Sequence, residues 1–99
     1  MGDKPLVFHD DALAELRSAV SWYFERNQTA AVKFAQEIEE AVELIRDSPD
    51  RWSVGEYNTR KFVLRRYPFL IFYRELPEVI QVLAVSHGRR RPGYWQHRL

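Results

Sequence analysis

The chain has 99 residues, 45% of them hydrophobic and 29% charged, which excludes both a disordered chain and a second independent core. It has no cysteine, so disulfides, thiolate metal sites and thiol nucleophiles are excluded together. A formal net charge of +1 conceals a division: residues 1–57 hold six Lys and Arg against twelve Asp and Glu, whereas residues 58–99 hold nine against two. Such a bipolar chain offers one surface suited to an anionic or acidic partner. No apolar run approaches the roughly 18 residues of a membrane span, and the N-terminus has no signal-peptide pattern. One soluble cytoplasmic domain over residues 1–99 is expected.

Pro5–His9 is short, apolar and without helix signals, and reads as an edge strand. Asp10 and Asp11 offer N-cap oxygens to a first helix. In it Leu13, Leu16, Val20 and Tyr23 or Phe24 recur at three-four spacing, while Glu15, Ser18, Ser21 and Glu25 lie away from that face. The pattern breaks at Asn27–Thr29, and Thr29 is a candidate cap for a second helix. Its apolar stripe is Phe34, Ile38, Ala41, Val42 and Ile45, with Glu37, Glu40 and Glu43 read as a solvated opposite face. The helix should stop at Ser48, because Pro49 disfavours helical geometry in the residue before it. So short a link between two helices makes them an antiparallel hairpin.

A loop over 50–58, with Gly55 as its turn, precedes a change to extended patterning. Strands are predicted over Arg60–Tyr67, Phe69–Glu75 and Val79–Ser86, joined by links short enough for antiparallel hairpins. The expected fold is α+β: an N-terminal strand and a two-helix hairpin packed on a C-terminal antiparallel sheet, in the order β-α-α-β-β-β. The last strand is apolar on both faces. Strict alternation sets Val79, Leu83 and Val85 against Ile80, Val82 and Ala84. Two helices cover only one face of such a sheet. The other needs a partner or the basic, aromatic tail from His87 to Leu99, which turns at Pro92-Gly93.

His9, His87 and His97 form no spaced set of metal ligands, and the glycines form no phosphate loop. No metal or other cofactor is expected. Arg60, Lys61, Arg65, Arg66 and Arg74 lie on predicted neighbouring strands, and Arg89, Arg90 and Arg91 follow the last one. Arginine forks suit phosphate, and the interleaved Tyr67, Tyr73, Tyr94 and Trp95 suit base stacking. An RNA-cleaving site needs these types plus a proton carrier, for which His87, Tyr94 and His97 are the candidates. The plainer reading makes strand arginines solvated edge residues and lets Tyr94 and Trp95 lock the tail to the sheet.

The element order, the proline closing the second helix, the run VLRRYPFLIFY (Val63–Tyr73) and the ending VLAVSHGRRRPGYW (Val82–Trp95) together resemble the RelE/ParE superfamily of bacterial type II toxins. The ParE-like, or plasmid stabilisation, toxins are the nearer likeness. The resemblance implies a growth-arresting toxin neutralised by a cognate antitoxin, with operator DNA contacted only through that antitoxin. ParE-like members inhibit DNA gyrase and are not nucleases, which implies target-binding roles for Arg89, Arg90, Arg91, Tyr94 and Trp95. Antitoxin contacts are expected at Arg65, Arg66 and Arg74 and at the apolar Ile80 and Val82. RelE-like members instead cut messenger RNA on the ribosome. Under that alternative Arg65 and Arg90 match family arginines, with Tyr94 close to the terminal catalytic tyrosine. A third possibility is an inactive homologue that only binds its partner.

Overall fold

In the computed structural model, which describes residues 4–99, the chain runs β1 (Leu6–Phe8), α1 (Asp10–Arg26), α2 (Gln28–Asp47), β2 (Arg60–Val63), β3 (Phe69–Glu75) and β4 (Ile80–His87). The fold is α+β in the expected order. Strands lie in the order β1-β4-β3-β2, and the β2–β3 and β3–β4 pairs are antiparallel. β1 differs: it pairs with β4 in parallel, Leu6 opposite Ile80 and Phe8 opposite Val82. Strands joined by tight turns must be antiparallel, whereas β1 leaves through a helical crossover and escapes that constraint.

The caps fall one or two residues earlier than the sequence signals indicate. His9 caps α1, its Nδ1 accepting the Asp11 amide at 3.0 Å, so Asp10 and Asp11 occupy the first turn and face the positive end of the helix. Asn27 alone joins the helices. Its backbone N–H closes α1 on the Tyr23 carbonyl at 2.7 Å, and its Oδ1 accepts the Ala30 amide at 3.1 Å to open α2. α2 ends at Asp47, with Ser48 its C-cap ahead of Pro49.

The α2 stripe is as read, with Phe34, Ile38, Ala41 and Ile45 buried and Val42 half-buried. In α1 the fully buried residues are Ala12 and Ala19, while Leu16, Val20 and Tyr23 are half-buried and Phe24 is exposed. Ile71, Tyr73, Ile80, Val82 and Val85 complete this core from the sheet. Tyr73 is fully buried, and its hydroxyl donates to the Pro49 carbonyl at 2.6 Å. Burial pushes its pKa up to about 12, against a lowering by the nearby Arg60 charge. The unfolded chain therefore releases this proton near pH 10 while the folded one keeps it. Stability should be undiminished below pH 10 and fall as pH rises to about 12, by at most about 1.4 kcal/mol per pH unit. Urea midpoints across that window should decline less steeply for Tyr73→Phe than for the parent chain.

β2 ends at Val63 rather than running to Tyr67. The carboxylate of Glu37 accepts the amides of Arg65 and Arg66, drawing the backbone out of the ladder into a turn. Glu37 is thus a brace between α2 and the sheet rather than part of a solvated face.

β4 carries the main departure from simple alternation. Phe72 pairs with Ala84 and Tyr73 with Val82, leaving Leu83 as the extra residue of a bulge. The bulge resets the side-chain parity, so Val85 joins Ile80 and Val82 under the helices. Leu83 and Ala84 share the opposite face and form a second small core with Trp95, flanked by Phe72 and Tyr94. The tail therefore folds back over the sheet face that the helices leave open.

Candidate functional site

The tail is built to display arginines from a fixed backbone. After β4, the Gly88 amide donates to the Pro68 carbonyl at 2.8 Å, and the Arg90 amide to the His87 carbonyl at 3.0 Å. The Arg89 amide donates to His87 Nδ1 at 3.1 Å. Arg89, Arg90 and Arg91 are exposed on this turn, and the Arg90 guanidinium lies 3.8 Å over the Tyr94 ring. Gly93 then reverses the chain at φ 74°, where a Cβ would sit 3.5 Å from the Tyr57 ring.

Trp95 is 2% exposed, tilted against Phe72 at 4.9 Å and edge-on to Tyr57 at 5.8 Å. Its place in the second core removes it from the surface, so it anchors the tail and presents no face to a target. Tyr57 also donates to Gln96 Oε1 at 2.9 Å. Tyr57 and Asn58 both adopt left-handed φ, at 58° and 57°, a conformation that Asn tolerates and Tyr rarely adopts. The 50–58 loop thus turns at these two residues, with Gly55 at a negative φ, and the Tyr57 contacts to the tail hold it there.

On α1, Glu15 receives four hydrogen bonds: from the Val85 amide, the Tyr94 hydroxyl and both terminal nitrogens of Arg98. Burial, then the hydrogen bond to Glu15, hold the Tyr94 hydroxyl above its usual pKa. Burial pulls the Arg98 pKa down, and the bond and charge of Glu15 more than offset it. Nothing in the sequence singles out Arg98. The role of Glu15 has a signal, since it shares the i, i+3, i+7 stripe of the buried Ala12 and Ala19.

A cleft of about 490 Å³ opens between the tail, the 53–59 loop and the exposed part of the sheet. Arg60, Lys61, Arg90 and Arg91 outnumber Glu56 and give it a basic lining, with the His87 ring beside them. A groove of about 530 Å³ runs along the other side of the tail, floored by Ala14, Ser18 and Ala19 and walled by Trp22 and Phe69. His87 and Arg90 border both.

The sequence candidates fall into separate groups in this geometry. Arg65 and Arg66 are exposed on the β2–β3 turn, and neither lines the cleft that Arg90 and Tyr94 share. His97 turns away toward Asp11, 4.0 Å distant. Arg74 is half-buried and donates to Gln81 Oε1 at 2.9 Å. Ile80 and Val82 are fully buried beneath the helices in the core of the sheet, which takes them off the surface that an antitoxin could reach.

The architecture is a two-helix hairpin on a mixed four-stranded sheet with a folded-back basic tail. It superimposes on a solved structure titled chromosomal ParDE TA system from P. aeruginosa with a TM-score of 0.75 and 23% identity, covering 88% of this chain and 98% of that one. By sequence no curated protein matches the chain. The family model described as the ParE toxin of type II toxin–antitoxin system, parDE, matches residues 6–92. The chain belongs to this family of ParE toxins.

Proposed function

We propose that this protein arrests growth in the bacterial cytoplasm by inhibiting DNA gyrase, and that a cognate antitoxin neutralises it. The observation that carries this reading is the tail: three exposed arginines stand on a turn anchored by Trp95 and Arg98. The groups a nuclease would need are dispersed. Arg65 lies outside the cleft, and the Tyr94 hydroxyl is engaged with Glu15. Arg89, Arg90 and Arg91 are the target contacts, and Tyr94 supports them from beneath. In the absence of any effect on gyrase, the basic cleft with Lys61, His87, Arg90 and Arg91 favours ribosome-bound RNA as the target.

The antitoxin reading is supported by the apolar groove along α1, whose small-residue floor admits a closely packed segment. Arg90 and His87 at its border favour acidic residues on that segment. Arg65, Arg66 and Arg74 remain its proposed contacts on the basic half, and operator DNA is reached only through the antitoxin.

A supercoiling and DNA-cleavage assay with purified gyrase tests this. Inhibition that added antitoxin reverses is the expected result. Growth arrest without any effect on gyrase would overturn the gyrase assignment, and no growth arrest at all would mark a homologue that only binds its partner.

A further inference from the structure

β1 ends at Phe8, so beyond Val82 the β4 edge has lost its strand partner. Two of its groups are nonetheless satisfied. The Leu83 carbonyl accepts Arg98 Nη1 at 2.9 Å, and the Val85 amide donates to Glu15 Oε1 at 3.0 Å. In a parallel ladder one residue of the neighbouring strand would supply both the donor and the acceptor at such a pair. Here an ion pair supplies them, with Arg98 and Glu15 joined at 2.9 and 3.0 Å across 83 residues of sequence. Their side chains are 7% and 17% exposed.

Four donors fill the acceptor capacity of one carboxylate. The fourth is the Tyr94 hydroxyl at 2.6 Å, and the Tyr94 ring carries the Arg90 guanidinium. A chain of contacts therefore runs from Glu15 on α1 through Tyr94 to the basic turn. Buried ion pairs add little net stability but fix geometry, because their bonds are directional and expensive to leave unmade.

We propose that Glu15 is a positioning residue: its carboxylate, standing in for a missing strand residue with Arg98, fixes the tail so that Arg89–Arg91 present one arrangement to the target. This rests on the reading of those arginines as the target contacts. It makes α1 the template for a segment more than seventy residues away.

Glu15→Gln tests it, because glutamine keeps the shape but has one acceptor oxygen and no charge. The amides of Gln96 and Arg98, which bond to the Gly93 and Trp95 carbonyls, should exchange at least about tenfold faster once the ion pair is broken. Growth arrest at matched protein level should fall by a similar factor. Exchange in α2 and β3 should stay within about twofold of the parent chain, which a general loss of fold would not allow. Arg98→Lys keeps a charge opposite Glu15 and should give an intermediate result. It also serves as the second variant should Glu15→Gln not fold.

Unchanged tail exchange, or faster exchange with undiminished growth arrest, would overturn the proposal. So would parallel loss of tail protection and α2 protection, which is what a purely structural role predicts. The Arg89/Arg90/Arg91→Ala variant separates the two readings. If it arrests growth normally, the tail arginines are not the target contacts and both readings fall. If it is inactive while Glu15→Gln is fully active, the positioning role alone falls.

Discussion

Alanine at Arg89, Arg90 and Arg91 together should abolish growth arrest while changing folding stability by less than about 1 kcal/mol. All three side chains are exposed, and exposed substitutions away from special features usually stay within about 0.5 kcal/mol. The turn itself is held by backbone donors of Arg89 and Arg90 on His87, which alanine retains. The packing at risk is Arg90 over Tyr94, a cation–π contact worth about 0.5–1 kcal/mol at an exposed site. Against a target the same groups matter far more. Truncating one charge of a desolvated pair costs about 2–5 kcal/mol, and losing three positive charges also weakens electrostatic steering. Growth curves and thermal melts check the two parts, and arrest at parental strength would remove the tail from the mechanism. A triple lysine variant adds a distinction: full activity would mean that positive charge suffices, while lost activity would mean that the planar arginine fork is required.

Phe34→Ala should cost about 3–5 kcal/mol of folding stability, a large share of the roughly 5–15 kcal/mol typical of a domain. Phe34 is fully buried and is ringed by Tyr23, Tyr67 and Phe69 at 5.1, 5.1 and 5.2 Å between ring centres. It belongs to α2 and its partners to α1, the β2–β3 turn and β3, so no single element can move in to refill the void. Tyr67 is further pinned by its hydroxyl bond to the Ala30 carbonyl at 2.9 Å, which limits collapse. Urea unfolding followed by far-UV circular dichroism gives the number. A loss below about 1 kcal/mol would mean that the aromatic cluster repacks freely.

How far the sequence could be read depended on whether each signal was local. The α2 stripe and the Ser48-Pro49 stop are periodic or steric properties of neighbouring residues, and both hold in the structure. Asn27 and Thr29 are both cap formers within the same break of the helical pattern. The choice was decided by a one-residue link in which Asn27 serves both helices. The parity of β4 was not legible, because the bulge at Leu83 depends on pairing with β3 and leaves no mark in an apolar run. Which of its two apolar faces the helices cover is likewise not a local property, and it is the one with Ile80 and Val82. Arg65 and Arg90 fall on matching motif positions, yet Glu37 holds the Arg65 backbone at a turn outside the cleft. The ion pair between Glu15 and Arg98 spans nearly the whole chain, and no window of local sequence contains it. The exposure of Arg89, Arg90 and Arg91 is legible, because three consecutive charges after a strand cannot all be buried.

The strand order has a consequence for the cell that makes this protein. β4 lies between β1 and β3, yet it leaves the ribosome after both, and the anchors of the tail follow it. During synthesis the helices can form, but β1 has no partner and the β2–β3 hairpin has an open edge. The arginine turn is not assembled until residues 80–98 have emerged. A chain still being translated, or one interrupted before β4, thus lacks the arranged arginine turn on which the proposed activity rests. Under the proposed function, activity begins only once residues 80–98 have emerged and packed, so an antitoxin present at that moment meets its partner as the arginine turn forms.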